Sequence, residues 1–92
     1  MKPHLHKILN LFAGDVIAIH GDAPAFVFFA DTDSYASYLN DVDYEYYGSA
    51  VREWPFYMAP PRPGKWHLVI EQQNPEKDLD VRIEIVQESS LT

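Results

Sequence analysis

Apolar positions in this chain come in short runs separated by turn residues, with no long stripe at helical spacing. Residues 5–11 and 15–20 are two such runs either side of Phe12-Ala13-Gly14, and together they predict a hairpin. In the second, Ile17 and Ile19 face one way and Val16, Ala18 and His20 the other, so both faces are largely apolar, as in a central strand. Residues 25–30 are aromatic and continuous between Gly21-Asp22-Ala23-Pro24 and Asp31-Thr32-Asp33-Ser34, which predicts a buried strand. Asp31 to Ser34 offer N-caps to a segment in which Tyr35, Tyr38 and Leu39 share a helical face, so one short helix is expected over 34–40.

Residues 42–47 alternate as a strand that stops at Gly48, and 51–58 follow as another. Pro55 lacks an N–H donor, which places that strand at an edge or a bulge. Pro60-Pro61-Arg62-Pro63-Gly64 breaks the pattern. Residues 65–71 put Trp66, Leu68 and Ile70 on one face, and 79–86 put Leu79, Val81, Ile83 and Ile85 opposite Asp80, Arg82 and Glu84, as half-buried strands do. A polar loop over 72–78 and a frayed tail over 87–92 complete the reading. The expectation is all-β: a small β-sandwich or partly open barrel of about seven antiparallel strands, with one helical turn near 34–40.

With 92 residues the chain makes one domain, its core over 5–86. Without cysteine, neither a disulfide framework nor a thiolate zinc site is available. No signal-like apolar run opens the sequence and no stretch has the length of a membrane span, so the expected location is the cytoplasm.

Charge changes the picture more than composition does. Of the net −7, residues 8–51 supply seven acids and no Lys or Arg. Phosphate backbones and anionic bilayers attract clustered bases, so this half argues against nucleic acid or a membrane as partner and leaves a cationic partner or simple solubility.

The elements Gly14-Asp15-Val16, then 26–31 leading through Tyr35 and Tyr38 to Tyr44-Glu45-Tyr46-Tyr47-Gly48, then Pro55 and Gly64-Lys65-Trp66-His67-Leu68-Val69-Ile70-Glu71, carry a resemblance. In order and spacing, over about residues 5–86, the chain resembles the domain-of-unknown-function family numbered 1883. The resemblance implies a small bacterial β-sandwich, free-standing or joined to signalling domains such as Toll/interleukin-receptor-like modules, with no established reaction. After Ile70 the chain departs from the family, whose acid and Gly-rich turn are replaced by the longer, polar 71–77.

Five of the six tyrosines lie within 35–47. Tyr combines an apolar ring, a polar tip and few rotors, which suits binding surfaces. If 42–47 and 51–58 form a hairpin around Gly48, then Tyr44, Tyr46, Tyr47, Arg52, Trp54 and Tyr57 make one aromatic and acidic face, unless these rings merely close a small core. Trp66, aligned with Leu68 and Ile70, belongs to the core on this pattern. The face suits a protein partner or a second copy of the chain, making a homodimer; the alternative is a carbohydrate-like small ligand stacked on the rings. A flat face favours the first, and a concave pocket of several hundred Å³ lined by Tyr and Asp the second.

Other chemistries find little support. An EF-hand starting at Asp31 would need Gly and an acid where Ala36 and Val42 stand. His4 and His6 share one side of a strand, and zinc would need His20 or His67 to converge with them; no metal or other cofactor is expected. Ser34, Ser37, Ser49, Ser89 and Ser90 lie in no nucleophile-elbow motif and the glycines form no phosphate loop, so no catalytic residue is assigned. A hydrolase would require a histidine and a carboxylate converging in a pocket.

Overall fold

A computed structural model describes residues 4–73 and 80–87. It contains β1 (His4–Leu11), β2 (Asp15–His20), β3 (Ala25–Ala30), α1 (Thr32–Leu39), β4 (Tyr47–Val51), β5 (Phe56–Met58), β6 (Gly64–Gln72) and β7 (Arg82–Gln87). Seven strands form two antiparallel sheets, one in the order β1-β6-β3-β4 and the other β5-β2-β7. The molecule is the all-β sandwich that the short apolar runs predict.

Alternation along the strands explains the layering. Leu9 and Leu11 of β1, Val27 and Phe29 of β3, and Trp66, Leu68 and Ile70 of β6 meet Ile17 and Ile19 of β2 and Met58 of β5 in one buried cluster. Trp66 is 1 % exposed, as its alignment predicts; its indole N–H donates to the Arg62 carbonyl at 2.9 Å, so its one polar atom is satisfied.

β1 and β2 are not a hairpin, contrary to the pattern. β1 pairs with β6 along its whole length, while β2 lies in the other sheet between β5 and β7. Each strand offers an apolar face, and stacking those faces across the sandwich buries both. The corner between them is tied by Asp15: its carboxylate accepts from the Phe12 N–H at 2.8 Å and its own N–H donates to the Phe12 carbonyl at 3.1 Å. The central position expected for 15–20 is observed.

Two further expectations change. The strand expected over 42–47 begins only at Tyr47, and Gly48 is a strand residue opposite Phe28, not a turn. A β-carbon at Gly48 would lie 2.0 Å from the Val27 carbonyl oxygen, so glycine there permits the close approach of β4 to β3. The strand expected over 51–58 is split: Val51 ends β4, the chain crosses between sheets through the cis Trp54–Pro55 bond, and β5 is a short edge strand just after Pro55. Strand β6 is covered on both faces, since His67 and Val69 are buried as well as Trp66, Leu68 and Ile70.

Strand β7 has the expected outward Arg82 and Glu84, which pair at 3.2 Å. Leu79 and most of the expected polar loop, residues 74–78, lie outside the described residues, as do residues 88–92 of the expected tail; Gln87 closes β7. No helix among the described residues is long and apolar enough to cross a membrane.

Candidate functional site

The four-stranded sheet has a second face, pointing away from the sandwich, and the chemistry collects there. Register places His4, Glu71 and Phe26 in one row across β1, β6 and β3, and His6, Val69 and Phe28 in the next. Helix α1 lies over these rows and starts at Thr32, two residues before the 34–40 expected from the sequence. Asp31 is its N-cap: the carboxylate accepts from the Ser34 N–H at 2.7 Å. That bond, with the Ser34 side chain and Arg62 nearby, holds the Asp31 carboxyl below its ordinary range against the opposing effect of burial.

The helix C-terminus decides where the tyrosines go. Val42 N–H donates to the Ser37 carbonyl at 2.9 Å and Asp41 N–H to that of Tyr38 at 3.3 Å, with Asp41 in the left-handed region at φ 56°. This is the paired-bond Schellman termination, with Asp in the place glycine commonly takes. It reverses the chain, so 42–46 folds back as a loop over the outer face.

Around Phe28, which is fully buried, stand Tyr38, Tyr44 and Tyr46, with ring centroids 5.4, 5.8 and 5.6 Å from its own. Tyr38 and Tyr44 meet edge-on at 76°, and Tyr44 and Tyr46 at 48°. The Tyr38 hydroxyl donates to Glu71 Oε2. Burial, and then the hydrogen bond and charge of Glu71, push the Tyr38 pKa far above its ordinary value; burial first and Glu71 second raise that of Tyr44. Between these rings and the loop opens a cleft of about 480 Å³ lined by Tyr38, Asp41, Val42, Asp43, Tyr44, Tyr46 and Glu71.

Beside the cleft the same face carries a histidine cluster. His6 Nε2 is 2.7 Å from His67 Nδ1, and His67 Nε2 is 3.0 Å from the Thr32 hydroxyl. Tyr35 stacks flat on both rings, at 4.1 Å from His6 and 4.8 Å from His67, and its hydroxyl lies 3.0 Å from His4 Nε2. Burial lowers the pKa of both His6 and His67; His4 adds to this at His6, and His6 and Lys65 add to it at His67, where Asp31 opposes them. Only one proton fits between two facing ring nitrogens, so the pair favours a state with at least one neutral ring.

The six residues expected to form one face are dispersed, because the hairpin that would unite them is absent. Tyr44 and Tyr46 line the cleft. Tyr47 turns to the sandwich side, its ring edge-on to Trp66 at 5.7 Å. Arg52 is exposed on the crossing between sheets. Trp54 lies over Gly21, where a β-carbon would meet the indole at 2.7 Å, and donates to the Ala23 carbonyl at 3.2 Å while packing on the core. Tyr57 is exposed on β5 in the other sheet.

His4 and His6 do share one side of β1, and His67 joins His6, but His20 lies in the other sheet beside Glu84. No group of three or more ligating side chains among the described residues could hold a metal ion. Among the described residues no histidine lines the cleft.

Sequence reasoning named His67 as a residue that could converge with His4 and His6, but it did not place Tyr35, Tyr38 and Glu71 on the same face. The signal was there in alternation: on β6 the positions that alternate with Trp66, Leu68 and Ile70 are His67, Val69 and Glu71, matching the outward His4 and His6 on β1. No family model, curated protein or solved structure matches the chain.

Proposed function

We propose that this protein is a noncatalytic, cytoplasmic binding domain that captures a small ligand in the cleft between α1, the 41–46 loop and Glu71. The observation that carries the reading is the shape of the aromatic and acidic face. It is a hollow of about 480 Å³ lined by three tyrosines and three carboxylates, the size of an ordinary ligand pocket. The resemblance to the domain-of-unknown-function family numbered 1883 fits a small bacterial domain of this kind.

Chemical-shift mapping against a mixed panel of neutral saccharides and small amines tests the reading. Perturbations should cluster at residues 38–46 and 71; a panel that perturbs only β5 or β7 would refute it.

Self-association is the second reading, and a different feature favours it. Among the described residues β1 is an edge strand with Leu5 and Ile8 exposed, and β7 is an edge strand with Ile85 and Val86 exposed. Open edges with apolar side chains template pairing between chains. Light scattering over a concentration series decides it: a stable dimer supports this reading, and a monomer throughout removes it.

A further inference from the structure

The donor and acceptor inventory of the cleft narrows the ligand. Its side chains offer three carboxylates, Asp41, Asp43 and Glu71, and the hydroxyls of Tyr38, Tyr44 and Tyr46. Carboxylates only accept, and the Tyr38 hydroxyl is already given to Glu71 Oε2. A sugar hydroxyl donates and accepts at once, and against three carboxylates that only accept, the described lining offers it just the Tyr44 and Tyr46 hydroxyls as donors, so acceptors outnumber donors.

Charge points the same way. Among the described residues no Lys, Arg or His lines the cleft, and residues 8–51, which supply all of that lining but Glu71, contain no Lys or Arg. Arg62, near the start of α1, is placed over the Trp66 ring at 4.7 Å and 3.7 Å from Asp31. The negative field of Glu71 is felt at two of the lining hydroxyls. The Tyr44 ring stands at 76° to that of Tyr38 and 48° to that of Tyr46, so the rings that line the hollow are not parallel. Ring faces carry negative quadrupole density, and rings at mutual angles surround an alkylated cation better than a parallel stack does.

Resting on the cleft as the binding site, we infer that its ligand is a small alkylammonium cation, held by the rings of Tyr38, Tyr44 and Tyr46 with Asp43 and Glu71 neutralising its charge.

The experiment is a titration followed by NMR with choline and with 3,3-dimethyl-1-butanol, which has the same shape without the charge. Choline should shift the Tyr38, Tyr44 and Tyr46 ring signals and bind about tenfold tighter than the alcohol, the ratio expected of a partly desolvated cation–π contact. Glu71→Gln keeps an acceptor for the Tyr38 hydroxyl, and Asp43→Asn alters an exposed loop residue, so both should fold with unchanged thermal midpoints and bind choline several-fold more weakly. If the alcohol or a neutral saccharide shifts the same rings as strongly as choline, the cation is wrong and the cleft stands. If choline leaves the rings unmoved and no panel compound perturbs residues 38–46, both readings fall.

Discussion

The two faces of the four-stranded sheet are built from the same strands and obey different rules. Along β6, Trp66, Leu68 and Ile70 enter a cluster of side chains sealed by the second sheet, whereas Val69 joins a smaller cluster with Phe28, Ala30 and Tyr38, and His67 and Glu71 beside it meet His6 and the Tyr38 hydroxyl. The inner face is closed by a sheet, which covers area uniformly; the outer face is closed by eight residues of helix and a loop, which do not. Incomplete cover demands polar partners for whatever lies beneath it and leaves a hollow at its margin. In a domain this small the sandwich interior supplies stability, and the partly roofed face is where chemistry has room.

The sharpest way to break the comparison is to hollow out the inner face. Trp66→Ala should cost about 3–5 kcal/mol, since it empties a site with 1 % exposure and strands the Arg62 carbonyl. Denaturant titration would check it, and a loss under 1 kcal/mol would mean the inner face is not the stabilising one. Gly48→Ala comes next. Its new β-carbon would press on the backbone of Val27 and Phe28, so β4 must move from β3 at a cost of about 1–3 kcal/mol, again read by denaturant titration.

The contrast between faces also explains what the chain disclosed as a sequence. Strand alternation exposed the inner face directly, because Trp66-Leu68-Ile70 and Ile17-Ile19 can be read two residues at a time. The outer face depends on pairings distant in sequence, such as His6 with His67, which periodicity within one strand cannot reveal. The tyrosine segment misled for a local reason. Residues 42–46 have a strand-like pattern, but the Schellman bonds at Ser37 and Tyr38 reverse the chain before a strand can form, and Asp41 stands where a glycine would have announced the turn. Gly48 misled in the opposite sense, since it permits close strand packing and does not mark a bend.

Acid should distinguish the faces without mutation. His6 and His67 have pKa values below the unfolded value near 6.5, so the unfolded chain binds more protons as pH falls past that value. The stability they contribute is therefore complete above pH 6.5 and is lost as pH falls toward their folded values. Asp31, also lowered, releases its contribution only below its ordinary value of 3.8, which separates the two windows. Thermal midpoints should decline between pH 7 and 5, and His67→Gln, which does not titrate there, should flatten that decline. Because the pair docks Tyr35 and so α1, the Tyr35 ring signals should move with the same midpoint; signals that stay fixed would place the effect elsewhere.

The smallest effect on stability should accompany the largest effect on binding. Tyr46 is 47 % exposed and meets the outer face through the rings of Phe26, Phe28 and Tyr44. Tyr46→Ala removes no hydrogen bond recorded for the described residues and opens no enclosed cavity, so it should cost about 1 kcal/mol or less. It nonetheless removes one of the three walls of the cleft, and should weaken ligand capture by about tenfold, as loss of a ring from an aromatic site does. Calorimetric titration beside a thermal melt reads both quantities on one sample. A variant that loses stability and keeps its affinity would make Tyr46 a packing residue and move the cleft's working boundary inward to Tyr38 and Tyr44.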